Sequence, residues 1–377
     1  MMKVAVVTAL WYEDRFLPAL FASLERVDYP ADRWEIIMID NKNSPVTRQW
    51  FSANVFPKVG KTLPPVTLLS SDKNLGFAGG NNACLAAARE RGCEAYYLLN
   101  EDALGAPMFL KEAAQRMGEN EKIGAVQSFL VLDPNRGEAS PNANRGIASE
   151  MNSIGNCFHY LGFSYCGGYK MPVRDAMGYL RVRAIHDPDL KIAAASGAAV
   201  LLRAAALEQV GRFDEDYHLY HEDLDLSLRL REAGFMVVIE PASTVYHRYE
   251  FARSVDKYYW MERNRYRLLL EHYKLGTLLV LLPGFILAEL GLLAIGAKNG
   301  TLGARLRAYG YILDPRHWAE IGAKRERVQA MRKIGDRELL ESAVTAIAFQ
   351  DVSGPFMKVA NPLMAAYWAA ARLLIRW

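Results

Sequence analysis

The sequence predicts an α/β fold: a Rossmann-like, mostly parallel central sheet followed by a C-terminal helical extension. Three observations predict it. Short β-branched runs alternate with helix-sized segments through the first part of the chain, the pattern of βαβ units. Thr8, Asp40, Asn74 and Asp102 stand at or just past the ends of those runs, where open α/β sheets bind ligands. The chain of 377 residues is 51% apolar and 23% charged, enough for a large domain with a real core.

Taken in order, residues 4–8 read as the first strand, which begins too early for a signal peptide to precede it. Residues 16–25 read as a helix, 35–39 as a buried strand ending in Asp40-Asn41, and 66–70 as a strand ending near Asp72. An Ala-rich helix is predicted over 81–91, and a strand over 95–99 delivers Asn100-Glu101-Asp102. Residues 133–189, rich in Gly, Asn and Tyr, read as an irregular insertion with short strands. Regular structure resumes at 193–202, and a helix is predicted over 223–233.

Past Lys274 the character changes. Residues 275–297 are strongly apolar but contain Pro283, Glu289 and four glycines. A bilayer span needs about 20 apolar residues, so the run is long enough, but a carboxylate in lipid is costly. Basic residues flank both sides (Arg263, Arg265, Arg267 and Lys274 before; Lys298, Arg305 and Arg307 after), which opposes a simple span. An interfacial helix or a re-entrant hairpin fits better, with a span and an ordinary packed helix as the alternatives. Residues 362–377, with Tyr367, Trp368, Trp377, Arg372 and Arg376, suit either a second interfacial contact or a helix docked on the core.

Net charge is only +3, so bulk charge does not make the chain a polyanion binder, and no nucleic-acid partner is expected. Residues 298–337 hold ten Lys/Arg and four Asp/Glu, a local +6 that leaves −3 for the rest and predicts a basic C-terminal face. Cys84, Cys93, Cys157 and Cys166 form no CxxC pair and read as reduced thiols of a cytoplasmic protein.

Five segments carry chemistry, each with a bland alternative. Residues 72–82 (Asp-Lys-Asn-Leu-Gly-Phe-Ala-Gly-Gly-Asn-Asn) form a Gly-rich turn into a helix, suited to phosphate or to a tight turn alone. The spacing fits neither a Walker loop nor a dinucleotide fingerprint. Asn100-Glu101-Asp102 offers carboxylates for Mg²⁺ or Mn²⁺, or is a solvated turn. Residues 214–225 contain six carboxylates among aromatics. Glu222 and Asp223 fall where a helix begins, while Asp214 and Asp225 are expected to be structural, Asp225 through Arg229 four residues on. His247 in Tyr246-His247-Arg248 suits a metal or phosphate contact, or a structural role. The aromatic and basic run over 258–267, including Arg263, suits a diphosphate or a helix near lipid.

In this order and spacing the segments resemble family 2 glycosyltransferases of the GT-A fold, rhamnosyltransferase-like members most of all. The resemblance covers residues 3–273 and rests on Asn74-Leu75-Gly76-Phe77-Ala78-Gly79-Gly80-Asn81-Asn82, Leu99-Asn100-Glu101-Asp102, Gly211-Arg212-Phe213-Asp214-Glu215, residues 220–226 and Arg263-Asn264. It implies a glycosyltransferase domain over 1–273 and a helical, membrane-associating region over 274–377. By that resemblance Thr8, Asp40, Asn74, Gly79, Asn82, Asn100, Glu101 and Arg263 bind the nucleotide-sugar donor. Asp102 becomes the main ligand of Mg²⁺ or Mn²⁺, with His247 as a second, because Asn100 replaces the first Asp of the family's DxD motif. Glu222-Asp223 occupies the acidic motif that supplies the general base, assigned to Asp223.

The implied reaction is an inverting transfer of a sugar, L-rhamnose favoured, to a saccharide acceptor in cell-envelope polysaccharide synthesis. The apolar tail and its basic surround imply a lipid-linked acceptor and a peripheral place on the inner face of the cell membrane. A homo-oligomer is left open. Two competing readings are a sugar-nucleotide nucleotidyltransferase and a non-catalytic scaffold. The first lacks its Gly-rich, basic signature at residues 9–15, and Asn100 alone hints at the second.

Overall fold

A computed structural model describes residues 1–12, 14–133, 149–249, 255–348 and 355–377. The strands are β1 (Val4–Leu10), β2 (Trp34–Asp40), β3 (Val66–Ser70), β4 (Ala95–Leu99), β5 (Ala103–Gly105), β6 (Ile123–Leu132), β7 (Met151–Ser153), β8 (Asn156–Phe158), β9 (Ser164–Cys166), β10 (Ala199–Arg203) and β11 (Met236–His247). The helices are α1 (Leu17–Leu24), α2 (Pro45–Asn54), α3 (Gly76–Glu90), α4 (Phe109–Gly118), α5 (Val173–His186), α6 (Ala204–Val210), α7 (Glu222–Glu232), α8 (Val255–His272), α9 (Leu275–Asn299), α10 (Leu302–Leu313), α11 (Trp318–Met331), α12 (Asp336–Leu339) and α13 (Pro355–Leu374).

The main sheet has the order β3-β2-β1-β4-β10-β6-β11-β5, with β7 paired to β6. Pairing is parallel through β3-β2-β1-β4 and again between β6 and β11. β10 runs antiparallel to both of its neighbours, and β5 and β7 are antiparallel too. The sheet is therefore mixed, and the parallel expectation describes its N-terminal half. Both faces are covered, which is why β1 and β2 read as continuous apolar runs. Val4 and Val6 face a core with α1, α2 and α4, whereas Ala5 and Val7 face one with α3, α6 and α7.

Several elements depart from the sequence reading. The helix expected at 81–91 starts at Gly76, so the Gly-rich turn is its first turns. The predicted insertion does contain short strands, but it also contains α5, which buries only Ala176 and Leu180 and so shows little apolar periodicity. Residues 134–148 of that insertion lie outside the described residues. The apolar run is one continuous helix rather than a re-entrant hairpin: α9 carries Pro283 inside it and buries only Thr277, Leu281, Glu289 and Gly296. It is the one helix among the described residues long and apolar enough to cross a membrane.

Residue 273 is not a packing boundary. A third core joins the β8–β9 hairpin (Phe158 of β8, Phe163 just before β9), α7 (Leu224, Leu228), α8 (Leu268, Leu269) and α13 (Trp368, Ala371). The C-terminal helix docks: Trp368 stacks on Tyr160 at 4.7 Å, and Trp377 Nε1 donates to Thr277 Oγ1 at 2.8 Å.

Of the arginines expected at the membrane flank, Arg263, Arg265, Arg267 and Arg305 are inside the protein and Arg307 is exposed. Arg265 donates to Glu262 Oε2 at 2.7 Å and also to Glu289, which additionally accepts from Tyr266 (2.8 Å) and Tyr309 (2.5 Å). Arg305 reaches Glu262 at 2.7 Å, and Arg267 reaches Glu271 at 2.9 Å. Part of the basic segment is likewise directed inward. Lys324 pairs with Asp214 at 2.6 Å, Arg332 with Asp336 at 2.6 Å, and Arg325 caps the carbonyls of Leu270 and Tyr273. Four of the ten basic residues of that segment are thus internal ties, while Lys298, Arg307, Arg316, Arg327, Lys333 and Arg337 remain exposed.

Removing one partner of a buried pair leaves the other charge uncompensated, which costs about 3–5 kcal/mol. Arg265→Met is expected to lower the unfolding free energy in urea by that order, because it leaves Glu289 without its arginine and Glu262 with Arg305 alone. Adding Glu289→Leu should recover part of the loss; a single variant as stable as the parent would show that the network carries no net stability.

Candidate active site

Two groups of polar residues lie at the carboxyl edge of the sheet. The first is built on β1, β2, β4 and α3. Thr8 is buried within β1, and its Oγ1 has no hydrogen-bond partner. Asp40 ends β2, and its carboxylate accepts from the N–H groups of Lys42 (3.0 Å) and Ser44 (2.7 Å), fixing the turn before α2. Asn74 Oδ1 accepts from Gly76 N at 2.9 Å, and Gly76 has φ +67°, which suits glycine. At Gly80 a Cβ would lie 2.8 Å from Asn41 Nδ2 and 3.0 Å from Ala9 Cβ, so only glycine lets α3 come this close to the sheet crest.

Gly79 backs onto Glu215, whose Oε2 would be 3.5 Å from an added Cβ. Asn82 grips the same loop: its Nδ2 donates to Phe213 O and Glu215 Oε1, both at 2.9 Å, and its Oδ1 accepts from Phe213 N. Asn82 and Asp40 therefore hold backbone rather than present free polar atoms. Glu101 behaves similarly. Its carboxylate accepts from Trp11 N (3.0 Å) and Tyr12 N (3.3 Å), and burial, opposed by those bonds, pushes it up to about 7. It shapes the loop after β1.

Asn100 N donates to Ala198 O at 3.0 Å, which ties β4 to the start of β10. Asp102 Oδ1 lies 3.2 Å from His247 Nε2, and His247 Nδ1 lies 2.9 Å from Asn152 Oδ1. When Nδ1 donates its hydrogen to Asn152, the Nε2 lone pair faces the Asp102 carboxylate. In that tautomer both groups offer lone pairs to one position, a donor set that suits a divalent metal. Diphosphate-bound Mg²⁺ commonly takes one or two protein ligands and draws the rest from phosphate and water. No cluster of three or more His, Cys, Asp or Glu suited to a metal occurs among the described residues. Arg248, which the sequence reading passed over, is buried here with its Nη2 unpartnered; its Nε donates to Asp133 at 3.0 Å.

The second group is the start of α7. His218, Tyr220 and His221 all have positive φ (56°, 66° and 69°), a costly conformation outside glycine that recurs at functional sites. Asn264, fully buried on α8, holds this turn: its Nδ2 faces the carbonyls of Tyr217 (2.8 Å), Leu219 (3.0 Å) and Tyr220 (2.7 Å). Arg263 is committed nearby, donating to Asp216 O and to Asn264 Oδ1, with its guanidinium over Trp260 and Tyr311. It is not aimed at a diphosphate, contrary to the reading from sequence, because the loop carbonyls and rings already enclose it.

Asp223 Oδ1 accepts from Leu224 N at 2.8 Å, and Oδ2 accepts from Gly197 N (3.1 Å) and Asn156 Nδ2 (3.2 Å). Burial raises its carboxyl, and those N–H donors work against the rise. Glu222 is buried with Oε2 unpartnered, and burial followed by the Asp223 charge pushes it up to about 8. The two structural carboxylates behave as expected: Asp225 pairs with Arg229 at 2.6 Å, and Asp214 caps a turn and pairs with Lys324.

The two groups are joined. Asp223 binds Gly197 next to Ala198, which binds Asn100. A second path runs from Asp102 through His247 and Asn152 to Ser153, whose Oγ lies 3.4 Å from Asn156 Oδ1, and Asn156 binds Asp223. A cavity of about 460 Å³ opens beside Glu222 and Asp223. It reaches Tyr249, whose ring stands 5.6 Å from that of His247. Asp102 itself does not line it.

Known proteins agree with this architecture. Over 262 residues the chain is 27% identical to an N-acetylglucosaminyl-diphospho-decaprenol L-rhamnosyltransferase of Mycobacterium tuberculosis, covering 66% of this chain and 76% of that one. A mannosyltransferase from Pyrobaculum calidifontis, solved with GDP-Man and Mn²⁺, superposes with a TM-score of 0.50 at 18% identity, over 87% and 86% of the two chains. GalNAc-T7, solved with UDP, GalNAc and Mn²⁺, gives 0.55 at 12% identity, over 75% of this chain and 51% of that one. These likenesses give the GT-A fold. The sequence pattern of "Glycosyltransferase like family 2" matches residues 3–266. With that match spanning most of the chain and the acid-lined edge just described, the protein belongs to glycosyltransferase family 2 and is a glycosyltransferase.

Proposed function

We propose that the enzyme moves a sugar, L-rhamnose being the favoured candidate, from a nucleotide-diphosphate donor to a lipid-linked saccharide with inversion. The observation that carries this reading is the hydrogen-bonded linkage between Asp102–His247 and Asp223, two groups suited to opposite ends of a glycosyl transfer. The M. tuberculosis relative's name, with its diphospho-decaprenol acceptor and L-rhamnosyl donor, supports the choice of sugar and acceptor.

In this reading the donor lies over β1, β2 and the start of α3, with Thr8, Asn74 and Asn100 facing it. Asp102 and His247 hold Mg²⁺ or Mn²⁺, which would neutralise the diphosphate leaving group. Arg248 adds a fixed positive charge nearby. Asp223, oriented by Gly197, Leu224 and Asn156, takes the acceptor hydroxyl proton as the oxygen attacks the anomeric carbon. Glu222 keeps its own proton beside it, which avoids two adjacent negative charges.

Exposed apolar side chains on α9 (Leu279, Leu287, Leu290) and α13 (Val359, Leu363, Leu373) support a peripheral seat on the inner face of the cell membrane. Flotation with anionic liposomes is expected to carry the protein upward; protein left at the bottom of the gradient at low salt would remove this part of the reading.

A panel of dTDP-, UDP- and GDP-sugars, scored for slow donor hydrolysis with and without Mn²⁺, tests the activity. One donor should be cleaved in a metal-dependent way, and Asp102→Ala should lose the metal dependence of nucleotide binding. Asp223→Asn is expected to cut transfer by about 10²–10⁴-fold while sparing donor affinity. Transfer at the parental rate by that variant would assign the base elsewhere.

Glu222 also gives a pH signature. Its folded value of about 8 stands above the ordinary 4.5, so the native state holds the proton longer than the unfolded chain. Stability contributed by this group is full below about pH 4.5 and declines as pH rises towards 8. Glu222→Gln should flatten that decline in unfolding midpoints measured across the window; parallel curves for parent and variant would contradict it.

A further inference from the structure

We propose that the cavity beside the acid pair continues as a slot for the isoprenoid chain of a diphosphate-linked acceptor, held between α9 and α13 with Arg305 facing the diphosphate. This deepens the reading above and rests on it for the identity of the acid end.

The cavity has two unlike ends. One end has Asn156, Ser196, Glu222 and Asp223; the other has apolar residues of α9 and α13. Gly284, Leu287, Gly291 and Ile295 recur on one face of α9 and line it. At 1.5 Å per residue that stripe is about 16 Å long. Met357, Ala360, Leu363 and Tyr367 of α13 form the facing wall. Leu287 and Leu363 are 64% and 58% exposed, so the cavity opens to the surface where both walls are apolar.

An occupant that uses both ends must be hydroxylated at one and a thin hydrocarbon at the other. A free oligosaccharide would leave the apolar walls unused, and a flat lipid surface would not reach Asp223. Against the lining carboxylates Glu222, Asp223 and Glu262, one cation is placed to meet a diphosphate. Arg305 is the only Lys or Arg among the described lining residues; it is buried, one Nη donates to Glu262 at 2.7 Å, and its Nε has no partner. The small residues on the two walls have different reasons. Gly284 is required by packing, since a Cβ would come within 2.4 Å of the Tyr367 ring. Gly291 and Ala360 are small residues that line the cavity from opposite walls, which makes them the positions to enlarge.

The test uses the full-length protein and dansyl-labelled farnesyl diphosphate, read by fluorescence. The probe is expected to bind, and to be displaced by unlabelled farnesyl diphosphate but not by inorganic diphosphate. Anionic phospholipid vesicles should not compete at lipid concentrations where farnesyl diphosphate does. Gly291→Leu and Ala360→Leu should each weaken probe binding by about tenfold or more, as overfilling a packed site does. Their affinity for the nucleotide with Mn²⁺ should stay at the parental value. Two variants from opposite walls guard against one of them misfolding, and nucleotide affinity identifies the one that is intact.

Parental probe affinity in an intact variant overturns the slot, as does equal displacement by inorganic diphosphate or by vesicles. The two readings fail separately. Protein that binds the probe yet cleaves no nucleotide-sugar retains the slot and loses the activity. Protein that glycosylates a short-chain acceptor without binding the probe retains the activity and loses the slot.

Discussion

The structure depends on one helix whose charges face inward. α8 buries Glu262, Arg263, Asn264, Arg265, Arg267, Glu271 and His272, and every neighbouring element is oriented by what those side chains bind. His272 sits between two carboxylates, Glu232 at 2.9 Å and Asp225 at 3.1 Å; burial alone would lower it, but the pair pushes it up to about 10. That cation fixes α7 against α8. Arg265 does the same for α9 through Glu289, and Arg305 answers from α10 through Glu262. Because a charge left alone in such an interior is far costlier than the pair is favourable, the arrangement acts mainly as a specification: each helix has one position that satisfies all of the partners.

This explains how the strained turn ahead of α7 persists. Three non-glycine residues in the left-handed region each cost on the order of 1–3 kcal/mol, and local sequence alone would not keep them there. Asn264 draws three consecutive-region carbonyls inward, and Arg263 secures Asp216 just before them. The consequence is felt at Glu222 and Asp223, which leave the turn at the first positions of the helix with their carboxylates directed to the cavity. Arg263-Asn264 therefore matters to the site without touching a substrate: it positions the acid pair from behind.

The sequence was most legible where period and covalent order decide the structure. The strands 4–8, 35–39, 66–70 and 95–99 appear within one or two residues of where they were expected, because short apolar runs mark them: β1, β2 and β4 are buried almost throughout, and β3 is the partly exposed edge strand. The Asp225–Arg229 pair was legible for the same reason, four residues being one helical turn. What was not legible depended on partners distant in the chain. Asn82 and Glu101 look like ligand-binding groups, yet loops far off in sequence occupy their oxygens; Asp40 is taken up locally by Lys42 and Ser44. Arg265 and Arg267 read as a lipid-facing flank, since Glu289 and Glu320 lie well downstream. A signal was nevertheless present: Glu262 and Glu271 stand three and four residues from those arginines, the spacing of pairs on a helix surface.

Glu289 draws these strands together. As a lone carboxylate in an apolar helix it opposed a membrane span, and the structure gives the reason it is tolerated: Arg265, Tyr266 and Tyr309 enclose it. The same enclosure orients α9. With Glu289 turned inward, the stripe carrying Gly284, Leu287, Gly291 and Ile295 lines the cavity against α13, and Leu279 and Ile286 are left outside. A tail that merely adhered to lipid would need no such anchor and could rotate freely. One that must hold an apolar wall in register with Asp223 needs a polar pin running back to the helix that also sets the acid pair, and α8 supplies both ends of it.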